Sequence, residues 1–362
     1  MASLDLNDLL AYAVERKASD LHVRAGASPF IRVNGRLEKT KFAALSEMES
    51  RKMCFEVMTD ARIKTLEERG EVDFAHSHKR LGRFRMNVFM QKGVVSLACR
   101  RVLPSSPPIE ALGLPPSVRT LAEEVRGLIL VTGPTSSGKT TTTGSMIDHI
   151  NSTRPCHILT IEDPIEILHQ DKLAIVNQRE IGSDTSDFVS GLRSAMRQDP
   201  DVIFIGEIRD IETVTAAIQA AETGHLVIST LHTSDATETV NRIIDLYEPH
   251  LQGQVRNSLA STLKGIVSQR LLPKKDGTGQ VPATEILIMN DRVRDLIAEP
   301  KKTHLLPDLI AESSFYGMRT FDQSLLSLFR SGLVGIDDAL GAATNLHDFK
   351  LALKQEGLQT VS

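Results

Sequence analysis

Hydrophobic positions near the start of the chain repeat with helical spacing. Asp5 is placed to cap such a helix, because its side chain can accept a hydrogen bond from the N–H groups of the first turn. The apolar residues that share one face are Leu6, Leu9, Leu10, Ala13 and Val14. The pattern predicts an amphipathic helix directly after Asp5.

Strand patterns occupy much of the remaining first hundred residues. Residues 83–90 alternate strictly, with Phe84, Met86, Val88 and Met90 on one face and Arg83, Arg85 and Asn87 on the other. The pair Asn34 and Gly35 supplies the positive φ of a tight hairpin between two strand-like runs in 30–38, and residues 94–102 form a further strand. Together these patterns predict an N-terminal α+β domain with several antiparallel strands.

A proline-rich segment follows this region. Residues 101–118 hold five of the fifteen prolines of the chain, and proline disfavours regular helix and strand pairing. We interpret the segment as an interdomain linker. The predicted domains are therefore 1–103, a linker over 104–118, and a larger domain over 119–362.

The hydrophobic pattern changes after the linker. Short apolar runs without polar alternation cover 128–132, 157–161, 202–206 and 226–230 and are separated by helical stretches. This order is typical of a mostly parallel sheet covered by helices on both faces. From about residue 286 the pattern is helical, and Thr320 and Gln323 have capping-box spacing. The predicted fold class is α/β for this domain, with helices at its C-terminal end.

Composition and charge narrow the functional classes. The chain has 362 residues, 41% hydrophobic residues and a net charge of −4, which is ordinary for a globular protein and argues against a nucleic-acid partner. Its three cysteines, Cys54, Cys99 and Cys156, fit neither paired disulfides nor a zinc knuckle. No signal-peptide pattern or membrane-length apolar run is present. We expect a cytoplasmic protein without direct membrane insertion.

The sequence GPTSSGKT at 133–140 matches the phosphate-loop pattern G-x-x-x-x-G-K-[ST]. It follows the apolar run 128–132 and precedes a helical stretch, which is the context that the motif requires. A turn that binds nothing is the alternative, and this context disfavours it. The predicted nucleotide-binding residues are Gly133, Pro134, Thr135, Ser136, Ser137, Gly138, Lys139, Thr140 and Thr141. Lys139 is expected to contact the β- and γ-phosphates of ATP, and the Thr140 hydroxyl to bind Mg²⁺.

Acidic residues follow two of the predicted strands. TIEDPIE at 160–166 carries Glu162, Asp163 and Glu166, and GEIRD at 206–210 carries Glu207 one residue later than a usual strand-end acid. Carboxyl ends of parallel strands face the ligand crevice in open sheets. We expect Glu207 to support the magnesium ion, directly or through water. The alternative interpretation of the acids in TIEDPIE is a solvated acidic loop.

Two histidines, His225 and His232, flank the run 226–230. A lone histidine is more often structural than catalytic. Because this pair frames one strand near the other phosphate-side motifs, the sequence favours a role in sensing the nucleotide state.

The four motifs occur in a fixed order, GPTSSGKT, TIEDPIE, RQDPDVIFIGEIRD and AAETGHLVISTLHT. This set resembles the secretion-superfamily ATPases with their Walker A, Asp box, atypical Walker B and His box. The segments KASDLHVRAGASPFIRVNGRLE, GRFRMNVF and GMRTFDQSLLSLF resemble, more narrowly, the type IV pilus retraction ATPases of the PilT/PilU group. The resemblance implies a RecA-like ATPase domain and a PAS-like N-terminal domain.

The resemblance also implies roles for individual residues. Glu207 corresponds to the Walker B acid, and Glu166, the last acid of the Asp box, to the residue that positions the attacking water. In that family N-terminal arginines close over the nucleotide, and the candidates here are Arg83, Arg85 and either Arg100 or Arg101, of which we favour Arg101. A solvated strand face is the alternative for these arginines.

The implied function is that of a homo-hexameric ATPase motor for pilus retraction. Its partners would be an inner-membrane platform protein and a paralogous retraction ATPase, so the protein would be peripheral at the inner membrane. The alternatives are a pilus assembly or type II secretion ATPase, a non-hydrolysing accessory module, and a nucleic-acid motor. The short N-terminal region and the lack of cysteines after Cys156 disfavour an assembly or secretion ATPase. The complete set of motif residues disfavours a non-hydrolysing module, and the acidic net charge disfavours a nucleic-acid motor.

One C-terminal segment departs from the family pattern. The retraction ATPases share a segment AIRNLIRE, and the nearest stretch here is RVRDLIAE at 292–299. Asp295 and Ala298 differ from it. An ordinary amphipathic helix is the alternative interpretation of this segment.

Overall fold

The computed structural model describes residues 4–33 and 35–356 and divides the chain into two compact units. The first comprises the chain up to Pro104 together with Glu166–Leu168, and the second comprises Ser105–Ile165 and the chain from His169 onward. Each unit has its own hydrophobic core.

The first unit is an antiparallel sheet with helices packed on one face. Its helices are α1 (Leu6–Glu15), α2 (Glu47–Phe55) and α3 (Asp60–Arg69). Its strands are β1 (Asp20–Val23), β2 (Phe30–Val33), β3 (Arg36–Lys39), β4 (Glu71–His78), β5 (Gly82–Gln91) and β6 (Val94–Arg101), in the spatial order β3-β2-β1-β6-β5-β4. The predicted α+β character is confirmed.

Local patterns explain how these elements begin and turn. Asp5 caps α1 with a capping box, as its position indicates. Strands β2 and β3 form the predicted hairpin, in which Val33 pairs with Arg36 and Gly35 has a φ of 79°. Asn34 lies outside the described residues. In β5 the apolar face is buried as predicted except for Met90, which is 44% exposed because it lies at the strand end.

The proline-rich segment is folded from Ser105 onward as part of the second unit. It contains a 3₁₀ turn (Ile109–Leu112), and Pro116 begins helix α4 (Pro116–Ala122). Proline is tolerated in the first helical turn, where its missing N–H would have no helical partner. The buried side chains of Ile109 and Val118 join the core, so these residues are more ordered than a linker.

The second unit is built on a seven-stranded sheet. Its strands are β7 (Gly127–Thr132), β8 (His157–Glu162), β9 (Ile175–Glu180), β10 (Val202–Ile205), β11 (Leu226–Leu231), β12 (Leu263–Pro273) and β13 (Gln280–Ile288). The spatial order is β13-β12-β7-β11-β10-β8-β9, with all neighbours parallel except β13. The predicted α/β fold with a mostly parallel sheet is confirmed.

Helices cover both faces of this sheet. They are α4, α5 (Lys139–Thr153), α6 (Phe188–Ala195), α7 (Ile211–Glu222), α8 (Ala236–Asp245), α9 (Pro249–Thr262), α10 (Asp291–Ala298), α11 (Leu306–Glu312), α12 (Phe321–Arg330), α13 (Ile336–Ala342) and α14 (Leu346–Gln355). Successive residues of β7 enter opposite cores, with Leu128 and Leu130 on one side and Ile129 and Val131 on the other. This burial on both faces explains why the strand has no polar alternation.

The sequence patterns left three strands of this sheet unassigned. Strand β9 lies at the sheet edge and is mostly polar, so it lacks the apolar run of an interior strand. Strands β12 and β13 form a hairpin, and β13 extends to Ile288, slightly beyond the predicted start of the helical region. Helix α12 has the predicted capping box at Thr320. No helix within the described ranges has the length and apolarity needed to span a membrane.

Candidate active site

The phosphate-loop motif lies between β7 and α5, as the sequence predicts. Gly133 and Gly138 have φ values of 145° and 91°, which side-chain-bearing residues rarely adopt. Ser136 also has a positive φ, of 65°. The loop therefore has an irregular backbone that leads directly into the N-terminus of α5, an arrangement suited to binding phosphate groups.

The ammonium group of Lys139 folds back over this loop. Its Nζ donates hydrogen bonds to the carbonyl oxygens of Gly133 and Pro134, at 2.8 and 3.0 Å. These contacts concentrate a positive charge where the loop N–H groups and the start of α5 also attract anions.

Replacement of Gly133 by alanine is expected to disrupt the loop. An added Cβ would lie 2.3 Å from the carbonyl oxygen of Gln269 and 2.5 Å from Ser137 Oγ, in addition to the unfavourable φ. We expect Gly133→Ala to lower nucleotide affinity by at least about tenfold, because the backbone must move to admit the methyl group. Titration with fluorescent ADP measures the effect.

A matched control for this change is Gly253→Ala. Gly253 lies in α9, and an added Cβ there would have no atom within 4 Å other than those of its chain neighbours and the adjacent helix backbone. We expect normal nucleotide affinity and unchanged or slightly raised stability, because alanine favours a helix. Normal ADP binding by Gly133→Ala would contradict the close packing of the loop.

Glu207 and His232 come together after β10 and β11. His232 Nε2 lies 3.2 Å from Glu207 Oε2, and Arg209 forms an ion pair with the same carboxylate. The Glu207 side chain is only 13% exposed, whereas the histidine and arginine are more than half exposed. Strand β11 lies between β7 and β10, so His232 follows the strand that separates the phosphate-loop strand from the Glu207 strand.

The residues predicted to hold Mg²⁺ have suitable chemistry. Magnesium prefers oxygen ligands and keeps several waters, so one hydroxyl and one carboxylate are a sufficient protein contribution. Thr140 is exposed at the start of α5, and Glu207 offers a carboxylate that already attracts two basic side chains. Among the described residues there is no cluster of three or more carboxylate, histidine or cysteine side chains that would form an all-protein metal site.

His225 lies at the opposite end of β11 from His232. Its Nδ1 is 2.9 Å from the carbonyl oxygen of Ala220, and its own carbonyl accepts a hydrogen bond from Gly127 at the start of β7. The six residues of β11 lie between the two histidines and separate them by about 20 Å. The structure therefore places His225 at the end of β11 away from the phosphate loop, and the role of the pair in sensing the nucleotide state stays a prediction.

The acids of TIEDPIE have different environments. Glu162 is buried and accepts hydrogen bonds from Thr160 and Gln178, at 2.7 and 3.0 Å. Asp163 and Glu166 are exposed. Glu166 belongs to the first unit, where its carbonyl oxygen accepts a hydrogen bond from Leu103. Internal hydrogen bonds thus satisfy Glu162 and leave the other two carboxylates available to ligands.

The candidate arginines of the first unit lie on both faces of its sheet. Arg83 and Arg85 share one face of β5. Arg100 of β6 lies directly opposite Arg85 in the strand pairing and therefore on that same face. Arg101 pairs with Phe84, so it lies on the opposite face. The strand register therefore favours Arg100, rather than Arg101, as the companion of Arg83 and Arg85.

Arg100 and Arg85 on this face have acidic partners. Arg100 Nε donates to Asp20 Oδ1 at 2.8 Å, and Arg85 lies 3.9 Å from Asp73. Burial acts to raise the pKa of Asp20, but hydrogen bonds from Arg100 and Ser19 outweigh it and hold the pKa below its usual value.

Two residues near the motifs escaped the sequence analysis. Arg209 forms the ion pair with Glu207, and Gln269 of β12 contacts Ser137 of the phosphate loop from 132 residues away. Arg209 lies two residues after Glu207 within GEIRD, and this spacing could have indicated their ion pair. Nothing in the local sequence of Gln269 indicates its contact, because the contact depends on the pairing of β12 with β7.

A mostly parallel sheet with a phosphate loop after the interior strand β7 and acids after β8 and β10 defines a P-loop nucleotide-binding protein. The chain belongs to the family of type II/IV secretion system proteins, whose family model matches residues 2–287. It is 40% identical to the type IV pilus retraction ATPase PilT of Pseudomonas aeruginosa over 93% of this chain and 97% of that protein.

Other relatives agree with this placement. A twitching motility protein of Neisseria gonorrhoeae is 44% identical over 89% of this chain and 86% of its own length. The crystal structure of the pilus retraction motor PilT with bound ADP has a TM-score of 0.89 and 46% identity, covering 96% of this chain and all of that one. The chain therefore matches these relatives over nearly their full lengths.

Proposed function

We propose that this protein is an ATPase motor that drives type IV pilus retraction. The carrying observation is the formed phosphate loop with Lys139 folded over it, in a chain that matches PilT along nearly its whole length. The motor would convert ATP hydrolysis into removal of pilin subunits and so into twitching motility.

Each part of the site has a proposed role. The loop from Gly133 to Thr141 binds the phosphates of ATP, and Lys139 neutralises their charge. Thr140 and Glu207 hold Mg²⁺, with water completing the coordination, and the ion supplies charge neutralisation at the phosphates when it is bound. His232 orients the Glu207 carboxylate through the 3.2 Å contact.

Glu166 is proposed to orient the attacking water. Phosphoryl transfer passes through a loose transition state, so positioning matters more than the strength of the base. The exposed carboxylate on a backbone anchored to Leu103 suits such a role. Arg83, Arg85 and Arg100 are proposed to supply positive charge to the transferring phosphate.

The assembly and partners are also part of the proposal. We propose a homo-hexamer that acts in the cytoplasm on an inner-membrane platform protein and cooperates with a paralogous retraction ATPase. The relative PilU of Pseudomonas aeruginosa, 39% identical over 97% of this chain, is a type IV pilus ATPase and an example of such a paralogue. The net charge of −4 supports protein partners over nucleic acid.

A pilus assembly motor is the second candidate function. The assembly ATPase PilB of Acinetobacter baylyi is 34% identical over 82% of this chain, but the match spans only 52% of PilB. The retraction relatives match over most of their own lengths, which favours retraction.

Pilus number and twitching in cells that lack the gene test the proposal. We expect surplus surface pili and no twitching, because pili would still assemble but would not be withdrawn. Reintroduction of the wild-type gene should restore both properties, and Lys139→Ala at the same expression level should restore neither. Cells without pili would instead identify an assembly motor, and unchanged piliation and motility would contradict a principal role in retraction.

A further inference from the structure

We infer that Gln269 is a positioning residue for the phosphate loop, and that its side-chain amide holds the loop in the conformation that binds phosphate. The inference rests on the proposed function, because it takes the loop to be the nucleotide site. Gln269 lies on β12, outside the four sequence motifs, and the residue is 1% exposed.

One amide group connects the loop to the helix that follows it. Gln269 Nε2 donates to the carbonyl oxygen of Ser137 at 2.7 Å, and Gln269 Oε1 accepts from Thr142 Oγ1 at 2.9 Å. Ser137 belongs to the loop and Thr142 to the first turn of α5. The two contacts require one donor and one acceptor side by side, which a glutamine amide supplies and which neither leucine nor an ionised glutamate can reproduce.

The contact with Ser137 fixes the direction of a loop N–H group. In a planar trans peptide the carbonyl oxygen and the following N–H point in opposite directions. Because Gln269 holds the carbonyl of Ser137, the N–H of Gly138 is directed away from Gln269. Backbone N–H groups of such loops are the donors that bind phosphate oxygens. Gln269 therefore orients one of these N–H groups without itself needing to touch the nucleotide.

Both glycines of the motif pack against the same residue. A Cβ at Gly133 would lie 2.3 Å from the Gln269 carbonyl oxygen, and a Cβ at Gly138 would lie 2.9 Å from Gln269 Nε2. The required glycines are thus explained by the close approach of β12 as well as by their φ values.

The position of Gln269 is fixed by the sheet. Strand β12 pairs with β7 on one side and β13 on the other, and the neighbouring Ser268 accepts a hydrogen bond from Thr132 at 2.8 Å. Thr132 is the last residue before the loop. The loop is therefore held at its start, its end and the first turn of α5 by two successive residues of one interior strand.

Nucleotide binding by Gln269 variants tests this role. We expect both Gln269→Leu and Gln269→Glu to raise the Kd for ADP and the KM for ATP at least tenfold, with a smaller change in kcat, because a misdirected N–H weakens phosphate binding throughout the reaction. Glutamate has the size of glutamine, but its ionised carboxylate places an acceptor oxygen opposite the Ser137 carbonyl. Gln219→Leu, at an exposed position on α7, serves as the matched control and should bind normally.

Thr142 variants keep the test decisive if the Gln269 variants do not fold. Thr142→Val removes the hydroxyl that donates to Gln269 Oε1 and should raise the Kd for ADP several-fold, whereas Thr142→Ser retains a hydroxyl and should bind nearly as wild type. A folded Gln269→Leu protein with unchanged Kd and KM would overturn the inference, even if its melting temperature fell. If Gln269→Leu is unfolded, normal binding by Thr142→Val would overturn it.

Lys139→Ala separates this inference from the proposed function. If Lys139→Ala binds ADP as tightly as wild type, the loop is not the nucleotide site and both proposals fail. If Lys139→Ala loses ADP while the Gln269 and Thr142 variants retain it, only the positioning role is wrong.

Discussion

Glu166→Gln is expected to bind ATP normally and to hydrolyse it about 10²–10⁴-fold more slowly than wild type. The amide has nearly the size of the carboxylate but cannot accept a proton from the attacking water. Binding should persist because Glu166 is exposed, and the hydrogen bond from the Leu103 N–H to its carbonyl oxygen does not use the side chain. Phosphate release measures turnover, and fluorescent ATP measures binding.

Glu68→Gln is the control for this substitution. Glu68 lies on α3 with a 62% exposed side chain and a single long contact to Lys64, so its loss should leave both turnover and binding unchanged. Wild-type turnover by Glu166→Gln would exclude Glu166 as the group that orients water. Loss of ATP binding would instead assign it to the nucleotide pocket.

Lys139→Ala is expected to lower ATP affinity about 10–100-fold and to remove measurable hydrolysis, because hydrogen bonds to a charged group contribute about 1.5–3 kcal/mol each. The variant loses the cation together with its contacts to Gly133 and Pro134. Lys139→Arg should recover little activity, since a planar guanidinium does not replace a compact ammonium group in a tight loop. Equilibrium titration with fluorescent ATP and a phosphate-release assay measure the two effects.

Lys52→Ala provides the comparison. Lys52 is exposed on α2 and pairs only loosely with Glu56 at 3.8 Å, so its removal should leave affinity and turnover at wild-type values. Unchanged ATP affinity in Lys139→Ala would show that the phosphates bind elsewhere.

Much of the candidate site could be predicted because its chemistry is local in sequence. The phosphate loop combines glycines, Lys139 and Thr140 within eight residues, and its flanking strand and helix are recognisable from apolar spacing alone. The contact between His232 and Glu207 was harder to predict from the sequence. It depends on β11 lying beside β10, and neither histidine spacing nor strand pattern indicates which strands are neighbours in the sheet.

The positions of the two histidines and of Arg100 and Arg101 also depend on strand geometry that the sequence does not reveal. His225 and His232 flank one strand in sequence, but the strand itself separates them, and only His232 reaches Glu207. Arg100 and Arg101 are adjacent in sequence, but side chains alternate along a strand, so the register with β5 decides which one joins Arg85.

The sequence by itself determined the α/β class, the phosphate loop and the order of the acidic and histidine motifs, because these depend on short-range spacing and residue chemistry. The tertiary structure decided which motifs meet. The strand order β12-β7-β11-β10 brings Gln269 to the loop and His232 to Glu207, although the first pair of segments is separated by about 130 residues. Strand pairing between distant segments is set by the packing of the whole sheet, and local sequence patterns carry little information about it.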